Sequence, residues 1–148
     1  MDEVNLRLLA ELQRDPRMSM SELARRVGMS APAVTERVQR LEAAGVIRGY
    51  RLEVDPAALG LPVAAVVRIR PGPGQLTRVA DAIRATPQVV ECHRVTGEDC
   101  FVLAVHAPSI PELESILDVF LMYGQTTTSI VVSTPVPARP LPLPAWGA

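Results

Sequence analysis

Two periods divide the chain. Up to about residue 45 the apolar positions recur at helical spacing; beyond residue 62 they alternate, as on strands. Leu8, Leu9 and Leu12 form the first helical stripe and predict a helix over residues 4–13. It starts beside Asp2 and Glu3 and stops at Asp15-Pro16. Ser19 with Glu22 three places on is a capping box for a short helix whose inner face is Leu23, Ala24 and Val27 and whose end is Gly28. Ser30 can cap a third helix, with Pro32 tolerated in the first turn, Val34, Val38 and Leu41 inward and Gly45 as the stop. Two short helices joined by a glycine turn, behind a leading helix, predict a winged-type helix-turn-helix. Residues 46–54 are expected to form a strand and residues 55–61 a linker.

The second half alternates. Val63, Ala65, Val67 and Ile69 interleave with Ala64, Val66, Arg68 and Arg70 to predict a strand. After the Pro71–Gly74 turn, Leu76, Val79, Ala80 and Ile83 make a helical stripe. Residues 88–96 and 100–105 read as a hairpin around Gly97. Ser109 and Glu112 cap a helix lined by Leu113, Leu117 and Phe120, and residues 126–133 are a last strand. The order β-α-β-β-α-β predicts an α+β, ferredoxin-like sandwich with both helices on one face of an antiparallel sheet. Two strands carry apolar side chains on both faces, Ala64 and Val66 on one and Val102 and Ala104 on the other. A sheet covered on one side only should be polar on the other. The expectation is therefore a homodimer, sheet against sheet. Four segments follow: a helix-turn-helix domain at 1–54, the linker at 55–61, a ferredoxin-like oligomerisation domain at 62–134, and a proline-rich, extended tail at 135–148.

Charge changes the picture locally. The whole chain of 148 residues has a net charge of -1. Between Arg14 and Arg51, however, eight arginines face four acids, a net of +4. A local basic patch is what contact with phosphate requires. Cys92 and Cys100 are too few for a disulfide framework, and with only His93 and His106 beside them no metal site is expected. No cofactor is expected. No apolar run is long enough to span a membrane and no signal-peptide core precedes the first helix, so the expectation is a soluble, cytoplasmic protein without a membrane partner.

The stretch SELARRVGMSAPAVTERVQRLEAAGVIRGYRLEVDPAALG resembles the DNA-binding half of the Lrp/AsnC, or feast/famine, family of transcription regulators. VVECHRVTGEDCFVLAVHA resembles its sensing domain, and TTTSIVVS with RPLPL resembles that domain's last strand and tail. The resemblance implies a homodimer, often assembled into an octamer, that binds double-stranded DNA and responds to an amino acid or related small molecule. Many members carry an acid three places after the hairpin glycine; this sequence has Cys100 there, behind Glu98 and Asp99.

Residue roles follow. With Val34, Val38 and Leu41 inward, Pro32, Glu36, Gln39 and Arg40 face outward, flanked by Thr35 and Arg37. Arginine can fork onto guanine and glutamate can accept from cytosine in the major groove. Ser30 and the free N–H groups at the helix start can meet a phosphate, and Arg25, Arg26, Arg48 and Arg51 are further phosphate candidates. For the effector, Gly97 permits a tight turn whose N–H groups can hold a carboxylate. Glu98 and Asp99 can hold an ammonium group, with Cys100, Thr127, Thr128 and Ser129 along the same cleft. Two other readings compete: an enzyme resembling the sirohaem decarboxylases, and a DNA-architectural protein. The polar inventory lacks an acid–base or nucleophile constellation, which disfavours catalysis.

Overall fold

A computed structural model describes residues 1–144. The chain divides into two units, one of Met1–Leu52 with the tail from Val136, the other of Glu53–Pro135.

The first unit is built from α1 (Glu3–Arg14), α2 (Met20–Val27) and α3 (Ala31–Ala43). Each helix starts on a side-chain cap: Asp2 accepts from the Asn5 N–H, Ser19 from Glu22 N–H and Ser30 from Ala33 N–H. Gly28, at φ 72°, closes α2 in the left-handed conformation that only glycine adopts cheaply. Leu8, Leu12, Leu23, Val27, Val34 and Val38 make the shared core.

The strand expected over residues 46–54 does not form; this segment is irregular. The N–H groups of Val46 and Ile47 are both spent on the Leu41 carbonyl at the end of α3, at 2.9 and 3.1 Å. Tyr50 Oη folds back to donate to Glu42 at 3.0 Å. The tail, described as far as Pro144, carries no regular structure, and positions 145–148 of the expected tail lie outside the described residues. Within this unit Gln13 Nε2 donates to the Leu141 carbonyl at 3.2 Å.

The second unit contains β1 (Val63–Pro71), α4 (Leu76–Arg84), β2 (Val89–Arg94), β3 (Phe101–Ala107), α5 (Ile110–Leu121) and β4 (Gly124–Ile130). The sheet is antiparallel in the order β2-β3-β1-β4, the arrangement the sequence pattern predicts. Ala65, Val67 and Ile69 of β1 and Phe101, Leu103, Val105 and Ala107 of β3 point to the helices. There they pack on Val79, Ile83, Leu113 and Phe120. Strand β4 begins and ends earlier than expected. It can begin at Gly124 because glycine has no Cβ, which there would collide with the Arg70 carbonyl oxygen. It ends because β1 runs out: Val131 N–H makes the last rung, to the Ala64 carbonyl at 2.9 Å.

Candidate functional sites

In the helical unit α3 presents a polar surface free of the core. Pro32, Glu36, Gln39 and Arg40 are exposed on α3, opposite the buried Val34, Val38 and Leu41. Glu36 and Arg40 touch each other one turn apart, and both remain largely exposed. An exposed pair of this kind is worth little and yields readily to another partner. Thr35 is half-buried, its hydroxyl donating to the Ala31 carbonyl at 2.9 Å. At the start of α3, Ser30 Oγ accepts from Ala33 N–H and Ser30 O from Val34 N–H. Pro32 has no N–H, so Ala31 N–H is the donor the first turn retains for a phosphate.

Two of the expected contact arginines are turned inward to the protein. Arg37 donates to Asp2 Oδ2 at 2.7 Å and to Asn5 Oδ1 at 3.0 Å, tying α3 to the start of α1. The Arg37 hydrogen bond, with the Asn5 N–H, holds the Asp2 carboxyl below its ordinary range. Arg26 donates to Glu22 at 3.0 Å and to Glu11 at 2.9 Å, and these bonds raise its own pKa further. The same Arg26 bond depresses Glu22. Arg25 leans on Glu22 from a mostly exposed position. Arg48 and Arg51 are exposed and form no ion pair among the described residues.

In the sheet unit the β2–β3 hairpin closes through Val95 N–H to the Cys100 carbonyl at 2.8 Å, with Gly97 at φ 107° in the turn. Cys100 is half-buried, with Sγ 3.7 Å from the carbonyls of Gly97 and Glu98. Glu98 and Asp99 are not free acids. Arg70, on the open face of β1, reaches Glu98 at 2.5 Å and Asp99 at 3.5 Å; Arg68 lies 3.9 Å from Asp99. These two arginines complete the cluster and were outside the sequence-derived set. Their one signal was polar alternation on β1, which fixes a face but not a partner.

Strand β4 separates the other candidates. Thr127 and Ser129 stand opposite Arg68 and Val66 on the open face. Thr128 stands opposite the buried Val67, so it points to the helices and away from the cluster. Cys92 pairs with Leu103 of β3, three residues beyond Cys100, which precedes that strand. Three strand residues span about 10 Å, too far for a disulfide. Burial also pushes the Cys92 thiol up, away from thiolate reactivity.

A helix-turn-helix presenting a capped, solvent-facing third helix, followed by a βαββαβ sandwich with a charged hairpin tip, defines a two-part transcription regulator: one unit for DNA, one for a ligand. Residues 1–48 match the family model for winged helix-turn-helix DNA-binding, and residues 64–141 match that for the Lrp/AsnC ligand binding domain. The chain belongs to the Lrp/AsnC family.

It is 37% identical over 133 residues to the HTH-type transcriptional regulator LrpC of Bacillus subtilis, covering 90% of this chain and 92% of that one. The structure of LrpC superposes with a TM-score of 0.86 at 36% identity, over 90% of this chain and 96% of the other. A feast or famine regulatory protein of Mycobacterium tuberculosis, solved with L-methionine, gives a TM-score of 0.88 at 34% identity, over 95% and 97% of the two chains. The family and these relatives are transcriptional regulators, and the enzyme reading falls with that. No helix among the described residues is long and apolar enough to cross a membrane.

Proposed function

We propose that this chain is a cytoplasmic, dimeric regulator that reads operator DNA with the outer face of α3 and adjusts that binding to a small molecule, an amino acid or related metabolite. The observation that carries the reading is the separation on one capped helix: Val34, Val38 and Leu41 buried, Glu36, Gln39 and Arg40 in solvent. Those side chains suit base edges in a major groove, and Arg48 and Arg51 suit the phosphates beside it. The relative solved with L-methionine supports an amino acid as the effector class. The apolar open face, with Ala64, Val66, Val102 and Ala104, supports sheet-against-sheet pairing. Stacking of dimers into an octamer follows the same family pattern.

The test is a fluorescence-anisotropy titration of the full chain on DNA from its own promoter region and on random duplex. The promoter fragment should bind at least about 10³-fold more tightly. Equal binding to both would favour the architectural reading. Repeating the titration with a panel of amino acids should move the promoter affinity for at least one of them.

A further inference from the structure

The β2 edge of the sheet unit is left partly open on the side of the helices. Strand β2 is outermost in the sheet, and all of its residues but Val89 are exposed. Cys92 and Arg94 stand opposite Leu103 and Phe101, whose buried side chains point to the helices, so both face that side. Helix α4 runs beside them, with Thr77 and Arg84 on one flank about two turns apart. Between the two elements lies a cleft of about 490 Å³, a volume usual for small-ligand sites. Its floor is apolar, made by Ala80, Ile83 and Phe101; its polar rim is Thr77, Arg84, Cys92 and Arg94.

The rim holds two guanidinium groups and no acid. Arg94 is exposed and forms no ion pair among the described residues. Arg84 donates to Asp81 at 2.8 Å, but both side chains are largely exposed, and such a pair yields readily. Glu91 is turned to the opposite face, where it meets His93 at 3.1 Å. Partial burial holds the Cys92 thiol in its neutral form against the pull of Arg84, so it adds no anion. With Asp81 counted, the cleft carries one net positive charge. That matches one carboxylate, which a guanidinium can take with two parallel bonds. An ammonium group would meet two cations there and no anion. Val66, Arg68 and Arg70 point to the other face, so a second sheet packed on that face leaves the cleft uncovered.

We propose that this cleft binds amine-free organic acids with a short aliphatic chain, the chain on Ala80, Ile83 and Phe101 and the carboxylate on Arg94 and Arg84. The site requires nothing of the hairpin cluster, so it stands or falls separately from the sensing reading.

Cys92 reports occupancy. In the full chain, its alkylation by iodoacetamide is followed by peptide mass mapping, with Cys100 as the internal reference. Isocaproate at millimolar concentration should slow Cys92 several-fold and leave Cys100 unchanged. Isoamylamine, with nearly the same chain, should not protect. L-Leucine should protect Cys92 at least about tenfold more weakly than isocaproate, since its ammonium gains no partner. In Arg94→Gln the isocaproate concentration for half-protection should rise about tenfold, and Arg94→Lys should restore part of the loss. Arg94 is exposed, so neither substitution disturbs the core. Equal protection by isoamylamine, no protection by isocaproate, protection of Cys100 instead, or wild-type behaviour of Arg94→Gln would each overturn the proposal.

Discussion

In the helical unit, Val34, Val38 and Leu41 face the core while Glu36, Gln39 and Arg40 face solvent, all from the same 13-residue helix. In the sheet unit the charged cluster draws Arg70 from β1 and Glu98 from a hairpin 28 positions away. One site is a matter of local period, the other of strand pairing. The arginines show the same contrast. Around α3, Arg26 and Arg37 are spent on holding helices together, while Arg40, Arg48 and Arg51 stay at the surface. On the sheet, both exposed arginines of β1 are engaged by the hairpin acids, so neither sign stands as an open charge.

If the units differ this way, they should also fail separately, and this is the largest effect we expect. Phe120 and Leu23 are fully buried, each in its own core. Phe120→Ala should cost about 3–5 kcal/mol and Leu23→Ala about 2–5 kcal/mol. Followed by hydrogen exchange in denaturant, Phe120→Ala should expose the amides of the strands first and Leu23→Ala those of α1–α3. Loss of protection in both units from either substitution would mean a single cooperative structure.

The proposed sheet-against-sheet pairing sits on the sheet side of the comparison. Val66 is 40% exposed on the open face, opposite Ala104 and Ser129. Val66→Glu would place a charge where a second sheet should pack, costing several kcal/mol of association. Sedimentation should show the monomer at concentrations where the wild type pairs, with the folded signal of α1–α3 retained. An unchanged sedimentation profile would move the interface elsewhere.

How much of this was legible beforehand follows the same divide. Each of α1–α3 announces itself within a few residues: Asp2, Ser19 and Ser30 as caps, a stripe behind each, Gly28 as a stop. The sandwich was legible in its order because alternation and capping boxes are also local. What was not legible needed a partner far along the chain. Arg37 looked like a flank of the DNA face until Asp2, 35 positions away, claimed it. Arg68 and Arg70 looked like solvated strand residues until the hairpin brought Glu98 and Asp99 to them. The segment after Gly45 read as a strand by residue type, yet its first two N–H groups were already taken by the end of α3.

Arg40 and Arg37 sharpen the contrast within one helix. Arg40→Ala should lower the preference for the promoter fragment by about 1–3 kcal/mol, the range for losing one base contact. Arg37→Ala should leave that preference unchanged and instead lower the melting temperature, because it frees the start of α1 from α3. The two variants, compared on promoter and random duplex and by thermal melting, should therefore exchange phenotypes. A specificity loss in Arg37→Ala would return that side chain to the DNA surface.

The smallest effect is one of pH, and it too belongs to the helical unit. Asp2 is depressed from 3.8 by the Arg37 hydrogen bond first and the Asn5 N–H second. In the unfolded chain that carboxyl takes up its proton at a higher pH than in the folded one. Between the two values the unfolded state therefore binds more protons, and stability rises with pH. The contribution is fully present above about pH 4 and is lost as the solution is acidified through the lower, folded value. Glu22, depressed from 4.5 chiefly by its bond to Arg26, follows the same sign. Asp2→Asn should flatten the acid limb of the melting curve of α1–α3 slightly and leave the part due to Glu22. Asp2→Asn with Glu22→Gln should flatten it further. An acid limb that stays as steep in the double variant would assign it to other carboxylates.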